Sequence, residues 1–135
     1  MSPKTDVNDE TNGIPNTYFI YCYYLQVAPV YVGATYNPIA RDYQHRHGGG
    51  QQKFSKYIRA CGQEKFEFRL LEKIERKPGE ERFLERVYLR EEHWMLKFET
   101  HFSFGKGGQN YDRELTRHLG DKRREENIEA QMEKL

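Results

Sequence analysis

The stretch YFIYCYYLQVAPVYVG, residues 18–33, decides how the rest of the chain is read. Residues 18–25 are rich in aromatic side chains, and residues 30–33 are β-branched and aromatic, so both read as strands. Residues 26–29 connect them, which makes an antiparallel hairpin. Because side chains alternate along a strand, Tyr21 and Tyr23 share one face while Tyr18 and Tyr24 share the other.

Downstream, Asn37-Pro38 signals a helix start, with Asn as N-cap and Pro in the first helical position, where its missing N–H costs nothing. That helix is expected to run to about His47 and stop at Gly48-Gly49-Gly50. Phe54, Tyr57, Ile58 and Cys61 then recur at i, i+3, i+4 and i+7, a second short helix that Gly62 closes and whose other side carries Lys53, Lys56 and Arg59. Phe66, Phe68 and Leu70 alternate within a third strand over residues 66–74. Pro78-Gly79 precedes a long amphipathic helix over residues 80–99, and residues 101–110 form a Gly-containing loop. The expected architecture is α+β: a three-stranded, mostly antiparallel sheet flanked by helices.

All ten Tyr, all eight Phe and the single Trp fall between Tyr18 and Tyr111, so the core domain is assigned to residues 17–112. Residues 1–16, with only Val7 and Ile14 as branched apolar residues, read as a disordered tail. Residues 113–135 read as a charged helical tail, in which Leu115, Leu119, Ile128, Met132 and Leu135 offer a thin stripe interrupted by Gly120.

Mean hydropathy is −1.01 and no apolar run approaches the ~18 residues of a membrane helix, which excludes a helical membrane protein. The first sixteen residues have no apolar segment and carry Asp6, Asp9 and Glu10, unlike a signal peptide. Two Cys without Cys-x-x-Cys spacing make no disulfide scaffold, and the expected compartment is reducing and cytoplasmic. The 22 Lys+Arg nearly balance 21 Asp+Glu, yet Arg41, Arg46, Lys53, Lys56 and Arg59 cluster against Asp42 alone. Such a stripe suits a phosphate backbone, and it equally suits a solvated helix face.

Three constellations carry chemical potential. Glu91 occupies the middle of an apolar helical stripe formed by Leu84, Val87, Tyr88, Trp94, Met95 and Phe98. A carboxylate there is costly unless it is paired, binds a metal or opens onto a cleft. Arg41 and His45 lie four apart on one helix side, joining a guanidinium fork for phosphate to a group that can move a proton. His45 and His47 are poorly placed to share a Zn²⁺, since alternate helical residues diverge and no Cys has ligand spacing. The tyrosines are mostly core filler, and one acts as a base only where positive charge stabilises its phenolate.

Phe19-Ile20-Tyr21, Tyr31-Val32-Gly33 ten residues on, and then Arg41 and His45 together resemble the GIY-YIG nuclease family. Residues 54–62 followed by Phe66-Glu67-Phe68 look like that family's second helix and third strand. Arg90-Glu91-Glu92-His93-Trp94 resembles its catalytic-Glu helix, and Gly108-Gln109-Asn110 its closing Asn motif. Phe19 stands for the Gly of the first tripeptide and Val32 for the Ile of the second. Lack of a second DNA-binding module after Asn110 suits a compact nuclease of restriction type, or one from a phage or virus.

The resemblance implies Mg²⁺-dependent hydrolysis of DNA, with Mn²⁺ as a substitute cation. It assigns Glu91 to the metal, Arg41 to the phosphorane charge and Tyr21 to activation of the attacking water. Tyr31 supports Tyr21, His45 relays its proton or orients it, and Asn110 positions the site. Arg46, Lys53, Lys56 and Arg59 are the expected DNA contacts, the partner is duplex DNA, and homo-oligomerisation stays open. The competing reading is a nucleic-acid-binding module of the same fold that does not cut.

Overall fold

The tyrosine-rich strand β1 (Thr17–Leu25) lies between β2 (Ala28–Thr35) and β3 (Phe66–Glu75) in a three-stranded sheet whose pairings are all antiparallel. The computed structural model describes residues 13–47, 53–100 and 122–135. Around the sheet are four helices: α1 (Pro38–His47), α2 (Lys53–Cys61), α3 (Phe83–Phe98) and α4 (Lys122–Lys134). The expected Gly48–Gly50 helix stop, the loop over 101–110 and residues 113–121 lie outside the described residues.

Alternation along β1 separates two cores. Tyr18, Ile20 and Cys22 pack with Val32, Ala34, Ile74 and the α3 residues Phe83 and Val87 on one face. Tyr21 and Tyr23 pack with Tyr31, Phe54, Ile58, Phe66, Phe68 and Ile128 on the other. The α3 face is built almost wholly from apolar surface, and the opposite face is covered by α1, α2 and α4. Pairing jumps from Ile20–Glu72 to Tyr21–Leu70, leaving Leu71 extra, and from Tyr23–Tyr31 to Tyr24–Pro29, leaving Val30 extra. Such bulges bend and twist a strand locally.

The hairpin is tighter than expected. Only Gln26 and Val27 separate β1 from β2, both with positive φ (51° and 63°), as a two-residue loop with matching twist requires. Nothing in the structure explains a β-branched residue at the tip. The long helix begins at Phe83, not Glu80, because Glu80 is engaged in the preceding turn: it accepts from Lys77 N at 3.0 Å and Arg86 Nε at 2.7 Å. Phe83, absent from the expected stripe, is 1% exposed. Ile14 packs against the α3-side core, so the end of the N-terminal segment belongs to the body rather than to a tail.

Helix α4, from the stretch read as a charged helical tail, packs through its thin apolar stripe. Ile128 is 1% exposed within the core cluster on the α1 side. The Gln131 side chain accepts from Leu70 N at 2.6 Å and donates to Phe68 O at 3.0 Å, satisfying backbone groups on the outer edge of β3. Arg124 adds an ion pair with Asp42 of α1, at 3.7 Å. Among the described residues no helix is long and apolar enough to cross a membrane. Truncating Ile128 to Ala should destabilise the protein by about 2–5 kcal/mol, measured as a lowered midpoint in urea. An unchanged midpoint would mean that α4 is not part of the core.

Candidate active site

Helix α1 begins as its sequence demands. The Asn37 side chain accepts from Ala40 N at 3.1 Å, and its carbonyl accepts from Arg41 N at 2.9 Å. From this capped start Arg41 and His45 project one turn apart into the interior, where they are 1% and 0% exposed. Arg41 donates from Nε to the Tyr21 hydroxyl at 3.3 Å and from its terminal nitrogen to the Gln44 side chain. The Tyr21 hydroxyl lies 2.9 Å from His45 Nε2, and His45 Nδ1 lies 2.9 Å from Ser55 Oγ on α2.

Tyr21 reaches this position because its partner across the hairpin is Gly33. A Cβ on residue 33 would stand 2.5 Å from both Cζ and the hydroxyl oxygen of Tyr21. The glycine is therefore the space that the phenol fills. Tyr31, two residues earlier on β2, stacks on Phe54 of α2 with ring centroids 4.3 Å apart. Its ring also lies 6.1 Å from that of Tyr21 and meets the His45 ring edge-on at 5.4 Å, centroid to centroid.

Glu91 lies on α3, which packs mainly against β2, the strand that carries Tyr31. It is 3% exposed, whereas Glu92 is exposed, so the helix turns the first of these acids inward. Its charge acts on Tyr31, in the opposite sense to that of Arg41. It acts on Tyr88 of α3 as well. Neighbouring Arg90 donates to Glu72 of β3 at 3.0 Å, and Trp94 Nε1 donates to the same carboxylate at 2.8 Å. Burial of Phe83 and Val87 sets the rotation of α3 about its axis, and these rim contacts are compatible with it.

Burial decides the protonation states. It drives the His45 pKa well below the usual value near 6.5, helped by Arg41, Arg46 and Arg59. His45 is therefore a neutral imidazole with one N–H and one free lone pair. Burial raises the Tyr31 pKa, opposed by Arg41 and reinforced by Glu91, so Tyr31 stays a phenol. None of Tyr21, Tyr31, Arg41, His45 and Glu91 is more than 5% exposed, and the cluster is closed to solvent.

The other candidates divide. Arg46 is no surface cation: at 4% exposed it donates to Asp42 at 2.7 Å and to the carbonyls of Gln63 and Phe66. Its donors serve the interior, which corrects its assignment as a DNA contact. Lys53 and Lys56 are exposed on α2, and Arg59 is partly exposed near enough to act on His45. Asn110 lies outside the described residues. His47 is exposed, with its ring 4.8 Å from that of Tyr43, centroid to centroid.

Among the described residues no three His, Cys, Asp or Glu side chains gather into a metal-binding group. Glu91 alone, a buried hard-oxygen donor beside Tyr31, fits a cation such as Mg²⁺ that keeps most of its waters and takes the rest of its ligands from substrate. The sequence reading missed Ser55 and Asp42. The signal for Ser55 was a small polar residue three before Ile58, on the buried side of α2. No family model, curated protein or solved structure matches the chain.

Gly33→Ala should push Tyr21 off His45 and cost about 1–3 kcal/mol through overpacking, read in a urea melt. Wild-type stability would show that the ring can move aside freely. Acid sensitivity should follow from His45. Its folded pKa lies below its unfolded one, so the unfolded chain binds the extra proton. Stability is thus full above about pH 6.5 and falls as pH drops below it, by up to about 1.4 kcal/mol per pH unit. His45→Gln should flatten that slope between pH 7 and 5 in thermal melts, and an unaltered slope would contradict a neutral buried imidazole.

Proposed function

We propose that the chain is a metal-dependent endonuclease of the GIY-YIG type that hydrolyses phosphodiester bonds in duplex DNA. What supports this reading is the burial of Tyr21, Tyr31, Arg41 and His45 in one cluster, with the buried Glu91 of α3 near enough for its charge to act on Tyr31. A fold held only by packing has no use for a guanidinium, an imidazole, two phenols and a carboxylate in one place.

The roles follow from the contacts. Glu91 would hold Mg²⁺, or Mn²⁺ in its stead, and the bound cation would supply charge neutralisation at a non-bridging phosphate oxygen and the leaving 3′ oxygen. Arg41 presents a guanidinium that is already oriented by Tyr21 and Gln44, ready to offset charge gathering on phosphorus. Water attacks phosphorus and yields its proton to the Tyr21 oxygen as the Tyr21 proton passes to His45 Nε2. The bond from phosphorus to the 3′ oxygen breaks, and that oxygen takes a proton from solvent. A neutral His45 is the form able to accept, since its lone pair is free. Tyr31, kept protonated, packs beside Tyr21. Lys53, Lys56 and Arg59 on α2 are the phosphate-backbone contacts.

The closed state of the cluster favours a second reading, a module of this fold that binds nucleic acid without cutting. Nicking of supercoiled plasmid with and without Mg²⁺ separates the two. Cleavage should need the cation and vanish in Glu91→Gln, while Glu92→Gln cuts almost normally. Tyr21→Phe should lose most activity, and Arg41→Lys about 10²–10³-fold, because Lys keeps the charge but not the fork. DNA affinity should fall with salt by a log–log slope of about 0.9 per neutralised phosphate, and Lys53→Ala or Lys56→Ala should flatten it. Binding without nicking under any divalent cation would favour the second reading, and neither binding nor nicking would exclude both.

A further inference from the structure

His45 is held between two hydroxyl groups at the same distance, Tyr21 on Nε2 and Ser55 on Nδ1, each at 2.9 Å. A neutral imidazole has one N–H, so one hydroxyl must accept and the other must donate. Which does which sets whether His45 can take a proton from Tyr21. We propose that Ser55 is a positioning residue whose Oγ accepts the Nδ1–H of His45, holding the tautomer whose Nε2 lone pair faces the Tyr21 hydroxyl. The catalytic consequence rests on the endonuclease reading above; the tautomer itself does not.

Two considerations assign the proton this way. A phenol is a far stronger acid than an aliphatic alcohol, so in competition for one lone pair Tyr21 is the donor and Ser55 the acceptor. Arg41 Nε donates to the Tyr21 oxygen at 3.3 Å, drawing electron density from it and sharpening the same preference.

The position of Ser55 is fixed by its neighbours. It is 1% exposed, between Phe54 and Ile58, both 0% exposed. Phe54 meets the His45 ring edge-on at 5.3 Å while stacking on Tyr31. Helix α2 therefore carries a hydroxyl to Nδ1 with little freedom to retreat, and the same helix shows Lys53 and Lys56 to solvent. The opposite arrangement, with Nε2–H donating to Tyr21 and Ser55 donating to Nδ1, would make His45 a support for a Tyr21 phenolate rather than a proton acceptor.

The test uses the full chain with ¹⁵N-labelled histidine. Long-range ¹H–¹⁵N spectra distinguish a protonated ring nitrogen from one with a bare lone pair, and the His45 signals among the five His are identified by their loss in His45→Gln. Wild type should show the proton on Nδ1 and the lone pair on Nε2. Ser55→Ala, which removes one oxygen, should melt cooperatively yet shift His45 toward the Nε2–H form. In the cleavage assay it should lower kcat by about 10–100-fold with KM unchanged. A proton on Nε2 in wild type, or a His45 spectrum unmoved by Ser55→Ala, overturns the assignment whether or not the protein cuts DNA. Failure of wild type to cut, with the tautomer as stated, counts against the endonuclease reading alone. An altered tautomer with unchanged kcat overturns the catalytic role of Ser55.

Discussion

Burying Arg41, Asp42, His45 and Arg46 on a single turn and a half of α1 strips each of its hydration, and much of the structure is arranged to return partners to them. Asp42 accepts from the Tyr23 hydroxyl at 2.6 Å and from Arg46 at 2.7 Å, while Arg124 approaches its other oxygen. His45 is met by Tyr21 and Ser55, and Arg41 by Tyr21 and Gln44. Two of these partners, Tyr21 and Tyr23, come from one face of β1. A one-residue slip of that strand would send both phenols to the α3 side and leave Asp42 and His45 in a low-dielectric interior with fewer partners than they need. The register of the hairpin and the polar interior of α1 therefore specify one another, and Gly33 is where the fit is tightest.

The parts of this arrangement that depend on nearby residues were legible in the sequence. Asn37-Pro38 declares its helix because the cap and the proline act on the first turn alone. Glu91 and Glu92 separate by phase because their apolar neighbours lie within two helical turns. Tyr21 and Tyr23 share a face because strand alternation needs no tertiary information. Arg46 was illegible for the opposite reason. Nothing in its helix announces that Tyr23 and the carbonyls of Gln63 and Phe66 will surround it, so it read as one more cation in a basic stripe. Helix α4 was legible in part: Ile128 and Met132, which pack into the core, stood out as a thin stripe, whereas Gln131, its anchor to the β3 edge, is a polar residue that no hydrophobic pattern selects.

The two faces of the sheet do different work. Beneath α3 the contacts are apolar, with polar groups confined to the rim, where Glu72 gathers Arg90 and Trp94. Beneath α1 and α2, phenols, imidazole and guanidinium alternate with Phe54, Phe66 and Phe68. Replacing such a polar network with apolar groups of equal volume often leaves stability unchanged or improved, so stability alone gives no reason to keep it. On the proposed reading the reason is chemical, because the interior keeps His45 neutral and Tyr31 protonated.

Glu91 shows how the two faces are joined. It belongs to the helix on the apolar side, yet its charge acts on Tyr31, whose ring packs on the polar side. Its heading follows from helical phase: Phe83 and Val87 are buried beneath α3, and Glu91 continues that buried side one turn beyond Val87. Arg90, one residue earlier, turns instead to Glu72 on β3. That pair is partly exposed, and an ion pair of this kind contributes at most ~1 kcal/mol to stability. Rotating α3 by one residue is a turn of about 100°, which would exchange Glu91 for Glu92 or Arg90 only by drawing Phe83 and Val87 out of the core.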